Sequence, residues 1–457
     1  MASGFGYIDY VVVALCVLIA AHFLWSDPQR LLLLLPTIVT VDFFIPLISQ
    51  MTPGRLVPLI IGLWWCISGR FPTQRPVANW LRAGLVITVA ATVYALLSKD
   101  SGIRPLIRSL NYINLIILCG FAWQFTRSEG GITRIFKGFS FAALIHGGYA
   151  IYQVVANRLG LPYRGIVYSA HKEAGSGAMS EGGFRINGFA DEPKRLGLIL
   201  LAGVLAMLFL AAREKRMLRK QVGWGMAIGL LLVSLMTYSA SYLAALVAWA
   251  VVVMLFSPRS WKYGVVLVGV AFLLMVFMKG RVDSYLSIQK SLWDSRQAEL
   301  ESGIEGRRVY RQEFYAEDYL KERPLTVASG VGLGRYYQVF RERYGLGVGI
   351  GVNGNLIPLN SQVLEILFDM GIAGLFLLYG GGLVVVIKVR NRGSAGYMMA
   401  LILSFELVQS VFVQSLPLVM LALGAGATLI WGSGAIERRP LRNDVPQMLP
   451  MKPPRQG

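Results

Sequence analysis

The feature that most constrains this chain is a succession of uninterrupted apolar runs of roughly 17–22 residues, each near the length a helix needs to cross a bilayer. Candidate spans cover about 7–25, 31–49, 55–68, 80–97, 106–126, 138–156, 195–212, 222–238, 240–256, 263–278, 362–387, 396–412 and 414–432. The runs are continuous, whereas barrel strands would alternate apolar and polar positions. Of the 457 residues, 55% are hydrophobic and only 15% charged, well below the roughly 25% charged of soluble domains. The expectation is an all-α polytopic membrane protein with about 12–14 transmembrane helices. Pro36, Pro46, Pro53 and Pro58 break up the stretch 31–68 and soften its span boundaries. The first run lacks a basic leader region and a small-residue cleavage site, so it is expected to be a retained helix.

A formal net charge of +19 would point a soluble protein toward nucleic acid. In a membrane chain the plainer reading is that cytoplasmic loops collect Lys and Arg to set topology, and no nucleic-acid partner is expected. Residues 213–220 carry five positive charges against one negative, and further groups are Arg70/Arg75/Arg82, Lys388/Arg390/Arg392 and Arg438/Arg439/Arg442. If the spans alternate, all four groups share one side, which is then cytoplasmic. Segments 157–194 and 279–359 fall outside, as does the N-terminus. Cys16, Cys66 and Cys119 all lie in apolar runs and read as small core hydrophobes, and with only His22, His146 and His171 no metal site is expected.

The chain therefore divides into N-terminal spans (1–156), an external loop (157–194), further spans (195–278), a large hydrophilic loop (279–359), C-terminal spans (360–432) and a tail (433–457). The tail, rich in Pro and Arg, has too little apolar surface to fold. The pair 222–256 is short for two crossings, with a tight turn expected at Thr237–Ser241.

Three segments could carry chemistry. The first, Arg185-Ile-Asn-Gly188-Phe-Ala-Asp191-Glu192-Pro193, ends where a span begins. Pro193 suits a first helical turn, and Asp191 and Glu192 would sit beside the helix's positive end. The same residues also read as an ordinary cap. The second is the loop 279–359, with 10 of the 25 acidic and 12 of the 44 basic residues. Arginines outside the membrane gain nothing from the topology bias. Their guanidinium forks suit phosphate oxygens, or they pair with Glu313, Glu317 and Asp318 on a solvated helix running to about Lys321. Gly330, Gly332 and Gly334 lack the Lys-Ser/Thr ending of a phosphate loop. The third is the helix after Asn360 and Ser361, where Glu365 and Asp369 share a face. Ionisable residues in a span are functional candidates, although a water-facing acidic helix start would look the same. Asp42 and Glu406 could each pair with a basic residue on a neighbouring helix.

Together these segments resemble the bacterial O-antigen ligase and polymerase family of membrane glycosyltransferases. The likeness covers roughly 180–432. It comprises Arg-x-x-Gly-x-x-x-Glu-Pro at Arg185, Gly188, Glu192 and Pro193; Arg307/Arg308, Pro324 and Gly332-Leu-Gly334 in the large loop; and Ser361 followed by Gly371 and Gly374. Asn360 replaces the His of the ligase branch, and Ser239-Ala240 replaces a Ser-Arg, and both departures favour a polymerase of repeat units.

The resemblance implies a GT-C-like helical fold in the bacterial inner membrane, with the large loop in the periplasm and the C-terminus in the cytoplasm. It implies transfer of a glycan from undecaprenyl pyrophosphate to an acceptor hydroxyl, with membrane lipid around the donor's tail and without cofactor or metal. A flippase and a chain-length regulator are the implied protein partners. In that picture Arg185 and Arg308, with Arg307 and Arg164 as substitutes, hold the pyrophosphate. Glu365 or Glu192 accepts a proton or orients the hydroxyl, Asn360 bonds a sugar, and Ser361 lines the site. A ligase with a different acceptor, or a transporter of the lipid-linked intermediate, are the competing readings.

Overall fold

The computed structural model describes residues 6–43, 52–72, 75–97, 104–163, 179–180, 183–184, 186–190, 192–237, 239–256, 312–344, 359, 361–411 and 416–432, with single positions at 265, 269, 283 and 290. The expected span 263–278 apart from positions 265 and 269, the tail 433–457 and the candidates Arg164, Arg185, Arg307, Arg308 and Asn360 lie outside them.

The chain is a bundle of apolar helices: α1 (Gly6–Ser26), α2 (Pro28–Thr40), α3 (Pro53–Ser68), α4 (Arg75–Leu96), α5 (Arg104–Thr126), α6 (Gly131–Leu159), α7 (Pro193–Arg213), α8 (Met217–Leu235) and α9 (Ala240–Phe256). Three shorter helices follow within the hydrophilic segment: α10 (Gln312–Glu322), α11 (Thr326–Ser329) and α12 (Tyr336–Tyr344). The bundle resumes with α13 (Gln362–Leu375), a π turn (Phe376–Gly380), α14 (Gly381–Val389), α15 (Gly393–Ser410) and α16 (Leu416–Trp431). A ribbon of two-residue strands, β1 (Met179–Ser180) and β2 (Gly183–Phe184), is the strand structure among the described residues. Among those residues six helical stretches are long and apolar enough to cross a membrane, including α5, α6, α7 and the joined α13–α14. This is an all-α, multi-pass membrane protein.

Two expectations about the prolines change. Pro36 and Pro58 lie inside α2 and α3 and do not interrupt them. A missing proline N–H is tolerated in a span when neighbouring groups satisfy the backbone or pack where the bond is lost. Here Thr40 Oγ1 donates to the Pro36 carbonyl at 2.8 Å, and Gly138 of α6 packs against the Leu32 carbonyl. In α7 the first helical positions hold Pro193, with Glu192 as the capping residue before it.

The core centres on α7, which is buried on nearly every face, as expected for a helix that is hydrophobic all round. It can sit there because glycines remove bulk at the crossings. A Cβ on Gly203 would lie 2.1 Å from Ala143 Cβ and 2.8 Å from the Phe139 carbonyl of α6, and one on Gly197 would lie 2.7 Å from the Tyr242 ring of α9. Small residues at such crossings let backbones approach without a hydrophobic drive between helices. On the far side α16 meets α5 in the same way, with Gly424 against the Cys119 carbonyl and Thr126 Oγ1 bonded to Thr428 Oγ1 at 2.7 Å.

The hydrophilic segment is not simply solvated. Tyr315 and Tyr319 of α10, Tyr336 and Phe340 of α12, and Phe368 of α13 form a buried aromatic cluster. Phe340 meets Phe368 edge-to-face, with centroids 5.3 Å apart. Arg343 pairs with Glu322 at 2.8 Å on the exposed side of this subdomain.

Candidate functional site

The helix starts of α3, α7, α13 and α16, together with the end of α2, surround one cavity of about 190 Å³. Arg55 of α3, Arg108 of α5 and Arg195 of α7 line it, with Asp42, Glu365, Gln362, Asn111 and Asn114. Leu115, Leu118, Ile199, Leu416 and Leu418 supply apolar wall. Four helix N-termini facing one space add positive potential to that of the arginines, because the unpaired N–H groups of a first turn point outward along the dipole.

Charges placed inside a helix bundle must be compensated, and these are. Arg108 Nε donates to Asp369 Oδ2 at 2.9 Å, and its Nη2 contacts Glu365 Oε1. Neither bond uses Nη1. Gln362 Nε2 donates to Glu365 Oε2 at 2.8 Å, and Tyr112 OH donates to Asp369 Oδ2 at 2.9 Å. Glu365 and Asp369 are 1% and 0% exposed, which rules out the water-facing acidic helix start. Arg195 Nη1 reaches Asp42 Oδ2 at 3.4 Å, so Asp42 does pair with a cation of a neighbouring helix. Glu406 is buried in α15, and neither of its carboxylate oxygens has a hydrogen-bond partner among the described residues.

The Asp42 side of the cavity is held by segment 186–190. Gln153 of α6 accepts the backbone N–H groups of Asn187 (3.2 Å) and Gly188 (3.0 Å) and donates to Asn187 Oδ1 at 2.8 Å. Phe189 stacks on Tyr149 at 4.0 Å, and its carbonyl accepts the Asp42 N–H at 3.0 Å. Gly188 has φ 61°, and a Cβ there would lie 3.0 Å from the His146 carbonyl, so this turn is built for glycine. Glu192 does not line the cavity; it pairs with Lys194 at 2.8 Å.

The opposite side is held by a strap, residues 329–335. The helix α13 breaks at Gly371, where φ is 64° and ψ is −162°, a region open essentially to glycine alone. The break leaves the Phe368 carbonyl to accept the Val331 N–H at 2.7 Å. Gly330 lies against Gly371, Gly332 against Ala95 of α4, and the Gly334 N–H donates to Asp369 Oδ1 at 2.9 Å. The glycine run is therefore a docking element, and its Gly334 amide is spent on a carboxylate, as a phosphate cradle's would not be. Ser361 caps α13, its Oγ accepting from the Leu364 N–H at 3.4 Å.

Of the sequence candidates, the structure brings Glu365 to the cavity and sets Ser361 at the start of the same helix. Arg55, Arg108 and Arg195 were missed. A signal was present. Each lies in the first five residues of its helix, whereas the opposite ends of those helices are followed or closed by Arg70, Arg127 and Arg213. Basic residues at both ends of a span are not explained by topology alone. Among the described residues no three His, Cys, Asp or Glu side chains converge as a metal site would require.

No protein of curated function matches the chain. A family model described as O-antigen ligase matches residues 225–379, a stretch that contains Gln362, Glu365, Asp369 and the strap, whereas Asp42 and the three cavity arginines precede it. Over that stretch the chain is similar to O-antigen ligase.

Proposed function

We propose that this protein polymerises polysaccharide repeat units carried on undecaprenyl pyrophosphate, at the periplasmic face of the bacterial inner membrane. The observation that carries the reading is the convergence of Arg55, Arg108 and Arg195 with Glu365 on a cavity that also has an apolar wall of Leu115, Leu118, Ile199, Leu416 and Leu418. A lipid pyrophosphate presents this combination of chemistry: two adjacent anionic groups joined to a hydrocarbon chain.

In the reaction, the bond between the donor sugar's anomeric carbon and the pyrophosphate oxygen breaks. The acceptor hydroxyl oxygen bonds to that carbon, and its proton passes to a carboxylate. The leaving pyrophosphate keeps the bonding electrons. Arginines fixed in a low-dielectric cavity stabilise that charge without reorganising at the moment of transfer. Glu365 lines the cavity and is the better placed acceptor; Glu192 is engaged by Lys194 at the start of α7. Arrival of a phosphate at Arg108 would compete with Glu365 for the guanidinium and release its carboxylate for the acceptor hydroxyl. Arg185 and Arg308, with Arg307 and Arg164 as substitutes, would add to the groups that hold the pyrophosphate. Asn360 would bond a sugar. A flippase delivering the donor and a regulator of chain length are the expected partners.

Asn360 in place of a ligase-type histidine favours polymerisation over attachment of a finished glycan. Deletion followed by gel analysis of surface glycan tests this. Collapse of the ladder to a single repeat supports polymerisation, and loss of all glycan-capped lipid with polymer still made on the carrier supports the ligase. Lipid-linked repeats trapped on the cytoplasmic side refute both.

A further inference from the structure

Asp369 does not line the cavity, yet one carboxylate joins three parts of the molecule. Oδ1 accepts the Gly334 N–H of the strap at 2.9 Å. Oδ2 accepts Arg108 Nε and Tyr112 OH, each at 2.9 Å. Arg108 and Tyr112 line the cavity; the strap belongs to the hydrophilic segment packed on α13 through Phe368. The carboxylate is fully buried. Without the strap, Oδ1 would lose its backbone donor in a place where an uncompensated acceptor is costly.

The backbone around it shows that the docking is built in. Two residues on, Gly371 departs from helical geometry, and a Cβ there would lie 2.3 Å from the Ala328 carbonyl. Gly330, at φ 68° and ψ −174°, meets it from the other side, where a Cβ would lie 2.8 Å from Gly371 N. The helix opens where the strap crosses, and the Phe368 carbonyl so exposed is the one Val331 uses.

We propose that Asp369 is a positioning residue that couples strap docking to the orientation of Arg108. With the strap seated, Oδ1 is occupied by Gly334 and Oδ2 holds the guanidinium by Nε, so that its two Nη atoms, one of them against Glu365, are directed to meet a cavity ligand. With the strap lifted, the same carboxylate is free to turn and Arg108 loses its fixed direction. By linkage, an anion held by Arg108 stabilises the seated strap. Only this last step rests on the donor-site reading.

The test is amide hydrogen exchange on the full-length protein in lipid nanodiscs, read on peptides covering 326–344, with peptides of α6 and α7 reporting global integrity. Asp369→Ala is expected to speed strap exchange by about tenfold or more, the scale of one buried hydrogen bond. Asp369→Asn can keep an oxygen on Gly334 but then sets its NH2 against Arg108 Nε, so it is expected to speed strap exchange as well, by less than Ala; exchange equal to wild type would overturn the coupling. Arg108→Gln, whose guanidinium makes none of the strap's hydrogen bonds, is expected to loosen the strap as well. A purely packing role for Asp369 would leave the strap indifferent to that change. Strap exchange in Arg108→Gln equal to wild type overturns the coupling, as does unchanged exchange in Asp369→Ala. Should Asp369→Ala lose protection in α6 and α7 too, the Asn and Arg108 variants decide the matter. Inorganic pyrophosphate is then added as the probe. Slower strap exchange in wild type but not in Arg108→Gln supports the linkage. No effect in wild type, with the strap still loosened by Arg108→Gln, refutes the anion site and leaves the tie between strap and arginine in place.

Discussion

Replacing Glu365 by Gln removes one negative charge and changes little else in shape, so it separates two roles that the geometry allows. Glu365 is 1% exposed, with one oxygen on Arg108 and the other on Gln362. Removing one partner of a buried ion pair typically costs about 3–5 kcal/mol. Glu365→Ala, which strands both donors, is expected at the lower end of that range, because Arg108 keeps Asp369 and is 21% exposed. In Glu365→Gln the carboxamide oxygen still serves one donor, and the expected loss is about 1–3 kcal/mol, that of one buried donor left unsatisfied. Such a loss leaves a folded protein whose activity can be read. If Glu365 takes the acceptor's proton, turnover should fall by about 10²–10⁴-fold, the range for loss of a general base. The assay is polymer formation from lipid-linked repeats by the purified variant in nanodiscs, beside a thermal melt. A rate above about a tenth of wild type in a folded Glu365→Gln protein would show that the carboxylate only holds Arg108.

Gly371→Ala is expected to unseat the strap, since the residue's φ of 64° and ψ of −162° cost a side chain about 1–3 kcal/mol before the clash with Ala328 is counted; limited proteolysis of the hydrophilic segment would report it. Asp42→Asn should change stability by less than about 1 kcal/mol, because both it and Arg195 are about a quarter exposed. It adds one net positive charge to the cavity, so calorimetry should find pyrophosphate bound more tightly than by wild type. Gly203→Val should lower the melting temperature and the yield of folded protein, overpacking the α6–α7 crossing at a cost of about 1–3 kcal/mol or more; wild-type behaviour would refute the packing account.

Much of the architecture was legible along the chain because a bilayer filters sequence by a single local rule. Every backbone group inside it must be bonded within its own helix or barrel, so apolar run length marks the helices: the runs at 106–126 and 195–212 appear as α5 and α7 with ends moved by only one or two residues. The Glu192-Pro193 start of α7 and the buried Glu365/Asp369 face were visible for similarly local reasons, capping chemistry and helical spacing. What joins Arg55, Arg108 and Arg195 is not local. They sit on three helices, and each looks in sequence like an interfacial arginine. Only the packing of α3, α5 and α7 around one space turns them into a cationic wall. The same holds for Gly330, Gly332, Gly334 and Gly371. In sequence the first three are only a weak match to a phosphate loop, and the purpose of all four is set by what lies across from them, a broken helix and the Ala95 backbone. Composition and periodicity thus determined that this chain is a membrane bundle with a polar segment over one helix. Tertiary structure decided which charges meet, because burial makes each charge find its partner in space, wherever that partner lies in the chain.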